Sequence, residues 1–337
     1  MSFFAILFAL LLEQVRPLTR HNIIHVALRG WARWVSGNCD AGKRHQGWIA
    51  WTLVAVGPAL VAVAVHWLLA LTIGWPFAVL WSVAVLYVTL GFRQFSHHFT
   101  HIRDALDAGD EGRARDLLAQ WQQVEAAALP RSEIVRHVIE YSVLAAHRHV
   151  FGVLTLFSVL AAVGLGPAGA VLYRMSEFVS RYWQHSGRVQ SQPVSPALQM
   201  AATQAWAAID WLPARVTALG FAVVGSFEDA IDCWRNDAHR FPNTNDGVIL
   251  AATSGAVNVR LGGEALRPTA GADSPVFRSS GIGAGIGAEA GVMTNTESTP
   301  GREATVMHLR SIVGLVWRSV VLWMVLLALL TLARLLG

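Results

Sequence analysis

The chain is 337 residues long, and 54 % of them are hydrophobic against 14 % charged, a balance that places it at a membrane. A formal net charge of +4 and a pI near 9.6 invite a nucleic-acid reading, but the arginines are spread over several loops with no basic stripe interleaved with aromatics, so no nucleic acid is expected as a partner. Two cysteines, Cys39 and Cys233, are too few for a zinc cluster or a disulfide framework, and a single lysine, Lys43 followed by Arg44, excludes both a G-x-x-x-x-G-K-[ST] phosphate loop and a lysine nucleophile.

Residues 3–12 are apolar and stop at Glu13, without a basic flank or a small-residue cleavage site, so they read as a short membrane-inserted helix and not as a removable signal. Arg16, Arg20, Arg29, Arg33, Lys43 and Arg44 follow, and a loop so rich in positive charge is predicted to be cytoplasmic. The 48 residues between Arg44 and Arg93 carry no Asp, Glu, Lys or Arg. As one helix they would run about 70 Å, more than twice the roughly 30 Å of a bilayer core, so they are predicted to form two spans. The break falls at Gly74-Trp75-Pro76, where proline cannot continue a helical ladder.

Residues 93–149 are again Arg-rich and fall on the same side. Leu106, Ala114, Leu117, Leu118 and Trp121 recur at near-helical spacing over 101–128, and Ile134, Val138, Ile139 and Val143 do so over 131–149. With Leu129-Pro130 between them and Ser132 as the candidate N-cap of the second, these predict an amphipathic cytoplasmic helical hairpin. His97, His98 and His101 include an i,i+4 pair able to hold a divalent ion, but with no acid beside them they read as interfacial histidines. His147 and His149 flank Arg148 as a headgroup contact or a membrane-boundary anchor.

Residues 150–173 are long enough to span, with Gly164, Gly166, Pro167 and Gly169 bending them or making a re-entrant piece. Arg174, Glu177 and Arg181 are spaced for helical ion pairs, yet carboxylates are scarce enough in this chain for Arg174 and Glu177 to be candidate binding residues. Residues 201–225 divide at Asp210 and Pro213 into an interfacial helix and a short inserted one. The segment 237–263 then supplies the main candidate cluster. Arg240 can grip a phosphate or carboxylate with a bidentate fork, Asn245 offers an amide donor and acceptor, Asp237 is the nearby acid, and Gly247 would admit a ligand close to the backbone. The alternative is a plain Asp237–Arg240 salt bridge beside an Asn245-Asp246-Gly247 turn.

Residues 268–302 are dominated by Gly, Ser, Thr and Ala and read as a flexible loop; Gly281, Gly283, Gly285 and Gly287 mimic a dinucleotide fingerprint without the strand it requires. Residues 311–333 form the last apolar run, with Arg318 near enough to one end to snorkel, and give a fourth span. The expected fold class is therefore all-α, a polytopic helical membrane protein in five parts: 1–92 (apolar helix, basic loop, two spans), 93–149 (cytoplasmic helical hairpin), 150–267 (membrane and interfacial helices with the cluster), 268–302 (flexible loop) and 303–337 (last span).

The 237–263 segment, through Asp237, Ala238, Arg240, Asn245, Gly247, Gly255 and Val259-Arg260-Leu261-Gly262-Gly263, resembles the C-terminal signature of the CobD/CbiB membrane proteins. Leu106-Asp107-Ala108-Gly109-Asp110 is similar to that family's A-L-x-x-G-D helix, and Glu133-Ile134-Val135-Arg136 with Glu140 to the helix after it. Leu156-Phe157 with Gly164, Gly166, Pro167, Gly169, Ala170, Tyr173 and Arg174 is similar to its P-L-F…G-G-P-x-G-A-x-x-Y-R passage, and Pro213-Ala214-Arg215-Val216-Thr217-Ala218-Leu219 to its P-A-R-L-T-A-L. The resemblance implies attachment of aminopropanol, or its phosphate, to the cobyric acid carboxylate to give cobinamide or its phosphate. It also implies ATP and magnesium as cofactors, corrinoid, aminopropanol phosphate and membrane lipid as partners, and a bacterial-type cytoplasmic (inner) membrane.

Where that family carries acidic residues or amides, this chain has about Ala146, His147 and Val150, then Glu177-Phe178-Val179-Ser180, then Trp206-Ala207. Residues 1–35 and Ala208-Ile209-Asp210-Trp211-Leu212-Pro213-Ala214-Arg215 resemble instead AmpE, a membrane protein linked to β-lactamase induction. That second resemblance implies a non-catalytic regulator.

Overall fold

The computed structural model describes residues 2–15, 23–40, 42–122, 124–188, 194–264, 266 and 297–336. Arg16 and Arg20, the Gly281–287 series and most of the 268–302 loop lie outside the described residues. The fold is all-α. Among the described residues no strand forms, and the β-type pairing is one isolated bridge between Val259 and Arg302.

In chain order the helices are α1 (Ser2–Val15), α2 (Ile23–Cys39), α3 (Arg44–Trp51), α4 (Gly57–Thr72), α5 (Trp75–Thr89), α6 (Phe92–Asp107), α7 (Glu111–Gln122), α8 (Arg131–Ala146), α9 (Gly152–Ala162), α10 (Ala168–Arg188), α11 (Pro196–Ile209), α12 (Trp211–Val224), α13 (Phe227–Asp237), α14 (Thr244–Val257) and α15 (Val306–Leu336). Turns of π-helix at Thr52–Val56 and His147–Phe151 carry α3 into α4 and α8 into α9. A 3-10 turn at Ala238–Arg240 follows α13.

Among the described residues three helices are long and apolar enough to cross a membrane: Arg44–Thr72, Arg131–Ala162 and Val306–Ala333. The pair α11 and α12, bent by 42°, makes a fourth if it is one broken span. The first and last lie where the uncharged runs put them. The other two expected spans are corrected: the second half of the 45–92 run forms only the 15-residue α5, and the span expected over 150–173 starts instead at Arg131 and stops at Ala162. Proline and glycine explain the stops. Gly74 adopts φ +123° with Pro76 in the first turn of α5, and Gly164 and Gly166 adopt φ +84° and +52° ahead of Pro167, conformations that glycine takes without a Cβ clash.

The chain divides into two compact units. The first comprises Met1–Gly91, Gly152–Pro213 and Leu327–Gly337. Its α10 packs on α4, α5, α9 and α11, around a core of Ala32, Val35, Val54, Met175, Val179, Trp183 and Leu198. A Cβ on Gly169 would stand 2.1 Å from the Leu156 carbonyl oxygen, so only glycine lets α9 and α10 close their hairpin.

The second unit comprises Phe92–Phe151 and Ala214–Leu326. A helical hairpin does form ahead of Val150, but between α6 and α7. Gly109 takes φ +76° and the Asp110 carboxylate accepts from the Arg113 amide at 2.9 Å, which stops one helix and starts the next inside the expected 101–128 helix. The helix after it begins at Arg131 with Pro130, not Ser132, at the N-cap position.

Candidate functional site

The 237–263 segment is a tight helical hairpin of α13 and α14. The Asn243 side chain accepts from the Asn245 amide at 3.2 Å and caps α14, so Asn245-Asp246-Gly247 is its first helical turn and not a loop. A Cβ on Gly247 would meet the Ala238 carbonyl oxygen at 2.3 Å, and one on Gly255 the Asp229 carbonyl oxygen at 2.2 Å. Gly247 thus admits the chain's own backbone, not a ligand, to close range. Asp237 is buried and takes Arg240 Nε at 2.8 Å. Arg240 also donates from Nη1 to the Ser298 carbonyl at 3.0 Å and to Glu297 at 3.4 Å. Burial, then the charge of Asp237, pushes the Cys233 thiol up to about 11.

Asn245 looks the other way along the chain, toward a polar junction built on the π turn of the second unit. Its Oδ1 accepts from Arg215 Nη1 of α12 at 3.2 Å. Arg148 Nη2 reaches both oxygens of Asp246 at 2.9 and 2.7 Å, and Asn243 Nδ2 donates to the same carboxylate at 3.0 Å. His147 Nδ1 lies 2.8 Å from Thr217 Oγ1, also on α12, and both residues are fully enclosed. A π turn shifts the helical register by one residue and is a frequent device at functional sites; here it directs His147 and Arg148 to different partners. Three pieces of sequence with no regular spacing between them therefore meet: 147–148, 215–217 and 245–246. Two guanidiniums, an imidazole, a hydroxyl and an amide supply donors suited to carboxylate or phosphate oxygens, and the Asp246 carboxylate accepts from Arg148 and Asn243.

Sequence reasoning missed a third group. Glu140, with no exposed surface, accepts from Arg136 Nη1 at 3.0 Å and from the Gly262 amide at 2.7 Å, with His137 Nδ1 at 3.5 Å. Arg136 further donates to Glu133 and to the Glu264 carbonyl at 2.8 Å. The Gly262-Gly263 turn is thereby seated on α8, and Gly263 lies 3.6 Å, measured from a built Cβ, from the Arg136 guanidinium. The readable signal is the i, i+3, i+4, i+7 stripe of Glu133, Arg136, His137 and Glu140, which puts these four side chains on one face of an apolar helix.

The remaining two candidates, Arg174 and Glu177, belong to the first unit, on α10. Glu177 is buried and takes both Arg174 and, at 2.7 Å, Arg181, the i,i+3 and i,i+4 ladder that their spacing anticipates. In the same unit the Tyr173 hydroxyl donates to the buried Asp210 carboxylate at 2.8 Å. Of the positions where the resemblance expects acids or amides, Ala146 and Val150 are fully buried apolar residues, Ser180 is buried, and Trp206 stacks edge-on against Tyr173 at 5.1 Å.

Magnesium is usually held by one or two carboxylates together with phosphate oxygens. Among the described residues no three His, Cys, Asp or Glu side chains come together as a metal set, and Glu140, Asp237 and Asp246 each already hold an arginine.

The sequence profile described as "CobD/Cbib protein" matches residues 3–282. A "Cobalamin biosynthesis protein CobD" of Stutzerimonas stutzeri (strain A1501) is 30% identical over 233 residues, 68% of this chain and 71% of the relative. A protein of the same name from Chromobacterium violaceum is 31% identical over 183 residues, 54% of this chain and 55% of the relative, and one from Mycobacterium tuberculosis is 40% identical over 84 residues, 20% of this chain and 27% of the relative. No solved structure matches. With the profile running through both units and a relative matched over most of its length, the chain belongs to the CobD/CbiB family.

Proposed function

We propose that the chain is a multi-pass protein of a bacterial-type cytoplasmic membrane that acts in cobalamin biosynthesis, joining aminopropanol or its phosphate to the cobyric acid carboxylate to give cobinamide or its phosphate. The observation that carries the reading is the polar junction, where 215–217 and 245–246, two segments similar to the family's own, meet each other through Arg215–Asn245 and the π turn through His147–Thr217 and Arg148–Asp246. Forming an amide requires an activated carboxylate held beside an uncharged amine. Arg148 and Arg215 supply positive charge for carboxylate or phosphate oxygens, Asp246 and Asn245 hold those guanidiniums in place, and Thr217 fixes the orientation of the His147 ring. Arg240 offers a further cation to the same class of ligand. ATP is the source of activation that the family implies. The Arg-rich segment 93–130, ahead of the helix that starts at Arg131, lies on this reading on the cytoplasmic side, where the soluble substrates are.

Complementation tests this. A strain lacking its cobinamide-forming synthase and supplied with cobyric acid should grow when this chain is expressed. Failure by a well-expressed, membrane-inserted chain would overturn the enzymatic reading.

A second reading, a non-catalytic AmpE-like membrane regulator, is favoured by Ala146, Val150 and Trp206. These fill packed positions where the family has acids or an amide. On that reading complementation fails while β-lactamase induction changes on deletion of the gene.

A further inference from the structure

We infer that α6 carries a two-histidine site for a borderline divalent metal ion, zinc foremost, formed by His97 and His101. The residues are four apart on one helix, and their Nε2 atoms face each other at 3.2 Å with ring centroids 4.2 Å apart. A tetrahedral zinc with Zn–N bonds of about 2.0–2.1 Å separates two ligand nitrogens by roughly 3.3–3.4 Å. The pair already stands close to that bite. Both rings are exposed, so an ion reaches them from solvent. The neighbouring His98 is engaged elsewhere, stacked on Trp121 of α7 at 5.8 Å and 11°, and Trp121 in turn meets Tyr141 of α8 at 5.7 Å. Those contacts fix the α6 face that turns inward and leave His97 and His101 on the outer one.

Among the described residues no third His, Cys, Asp or Glu completes the set. The site is therefore open, with its remaining positions taken by water or an oxygen donor, and imidazole nitrogens select zinc, copper or nickel over magnesium or calcium. The competing explanation is a single hydrogen bond between two neutral rings with no metal. Both give the same distance, and metal binding separates them.

The test uses the full chain in detergent micelles, without a polyhistidine tag. Zinc is titrated in competition with a chromogenic chelator against His97→Ala, His101→Ala, the double variant and His98→Ala. His97→Ala and His101→Ala should each weaken one zinc equivalent by roughly tenfold or more, the double variant little further because either loss already breaks the chelate, and His98→Ala should leave the titration unchanged. Copper(II) loaded at one equivalent should show two nitrogen couplings in its EPR spectrum and one in either single variant. Unchanged titrations in His97→Ala or His101→Ala, an equal loss in His98→Ala, or one nitrogen coupling in the parent chain would overturn the site. Alanine favours helix at exposed positions, and His97→Gln repeats the measurement should an alanine variant fail to fold.

Discussion

The helix from Arg44 to Thr72 and the helix from Arg131 to Ala162 have nearly the same length, and each is carried through its middle by a π turn. They bury very different shares of their most apolar stretch, 22% and 67%. The first turns Leu60, Leu68 and Leu71 outward, the last 79 % exposed, and keeps Ala59 and Ala62 inward. The second turns most of its side chains inward, including Arg136, His137, Glu140, His147 and His149. Apolar length decides that a helix can leave water. Which of its neighbours is lipid and which is protein is decided by where its few charges find partners, because an ion in hydrocarbon is costly unless paired.

The largest effect should come from breaking the buried network. Glu140→Ala leaves Arg136 without its enclosed carboxylate and the Gly262 amide without an acceptor, at a cost of about 3–5 kcal/mol, read as early thermal unfolding in micelles. If Glu140→Ala melts with the parent chain, the contrast between the two helices fails.

Helix contacts rank next. Gly255→Val drives a side chain into the Asp229 carbonyl and should cost at least about 1–3 kcal/mol as overpacking, whereas Gly220→Ala, with open space around its built Cβ, should be neutral or stabilise by up to about 1 kcal/mol. Arg240→Ala, by removing a charge-assisted pair worth about 1.5–3 kcal/mol, should lower complementation-linked activity roughly ten- to a hundredfold while the helical circular dichroism is kept. Activity at the parent level would remove Arg240 from the site.

Cys233 gives a pH test. Its thiol is raised from 9.0 to about 11, so the folded state holds its proton more tightly than the unfolded chain does. The stability it contributes is complete below pH 9 and lost as pH climbs through about 11. Alkylation of Cys233 should therefore be slow at pH 8, rise through the same window, and quicken in Asp237→Asn, which removes a charge that raises the thiol. Smallest of all, Leu60→Ala on the outward face of α4 should shift stability by only about 0.5 kcal/mol. A shift as large as that of Glu140→Ala would mean that Leu60 is buried in an assembly.

What was legible in the sequence was set by nearest neighbours. The stop at Gly74-Trp75-Pro76, the bend at Asp210, and the Arg174–Glu177–Arg181 ladder depend on residues within one or two turns, and the folded chain has them where the spacing predicts. Along the sequence the charges of 131–149 count singly and predict a cytoplasmic segment. In the fold Arg136 and Glu140 neutralise each other on one face, and the helix continues to Ala162. Asn245-Asp246-Gly247 has the composition of a turn, but Asn243 caps the backbone two residues earlier and commits it to helix. Neither the Arg148–Asp246 pair, 98 residues apart, nor the proximity of Gly247 to Ala238 has any local signature. Residue type alone therefore marks the candidate cluster, and only the fold brings its partners to it.

The seat of Gly262 on Glu140 also sets an order of events during synthesis. Its two ends are 122 residues apart. At a ribosomal pace of about 5–20 residues per second, α8 is made roughly 6–25 s before the amide that completes the coordination of its carboxylate. Throughout that interval the nascent helix holds its buried charge with local partners alone, and its final settlement waits for a turn delivered late in translation. Truncation before Gly262 should accordingly leave a chain whose early helices are made but whose α8 remains a target for membrane quality-control proteases.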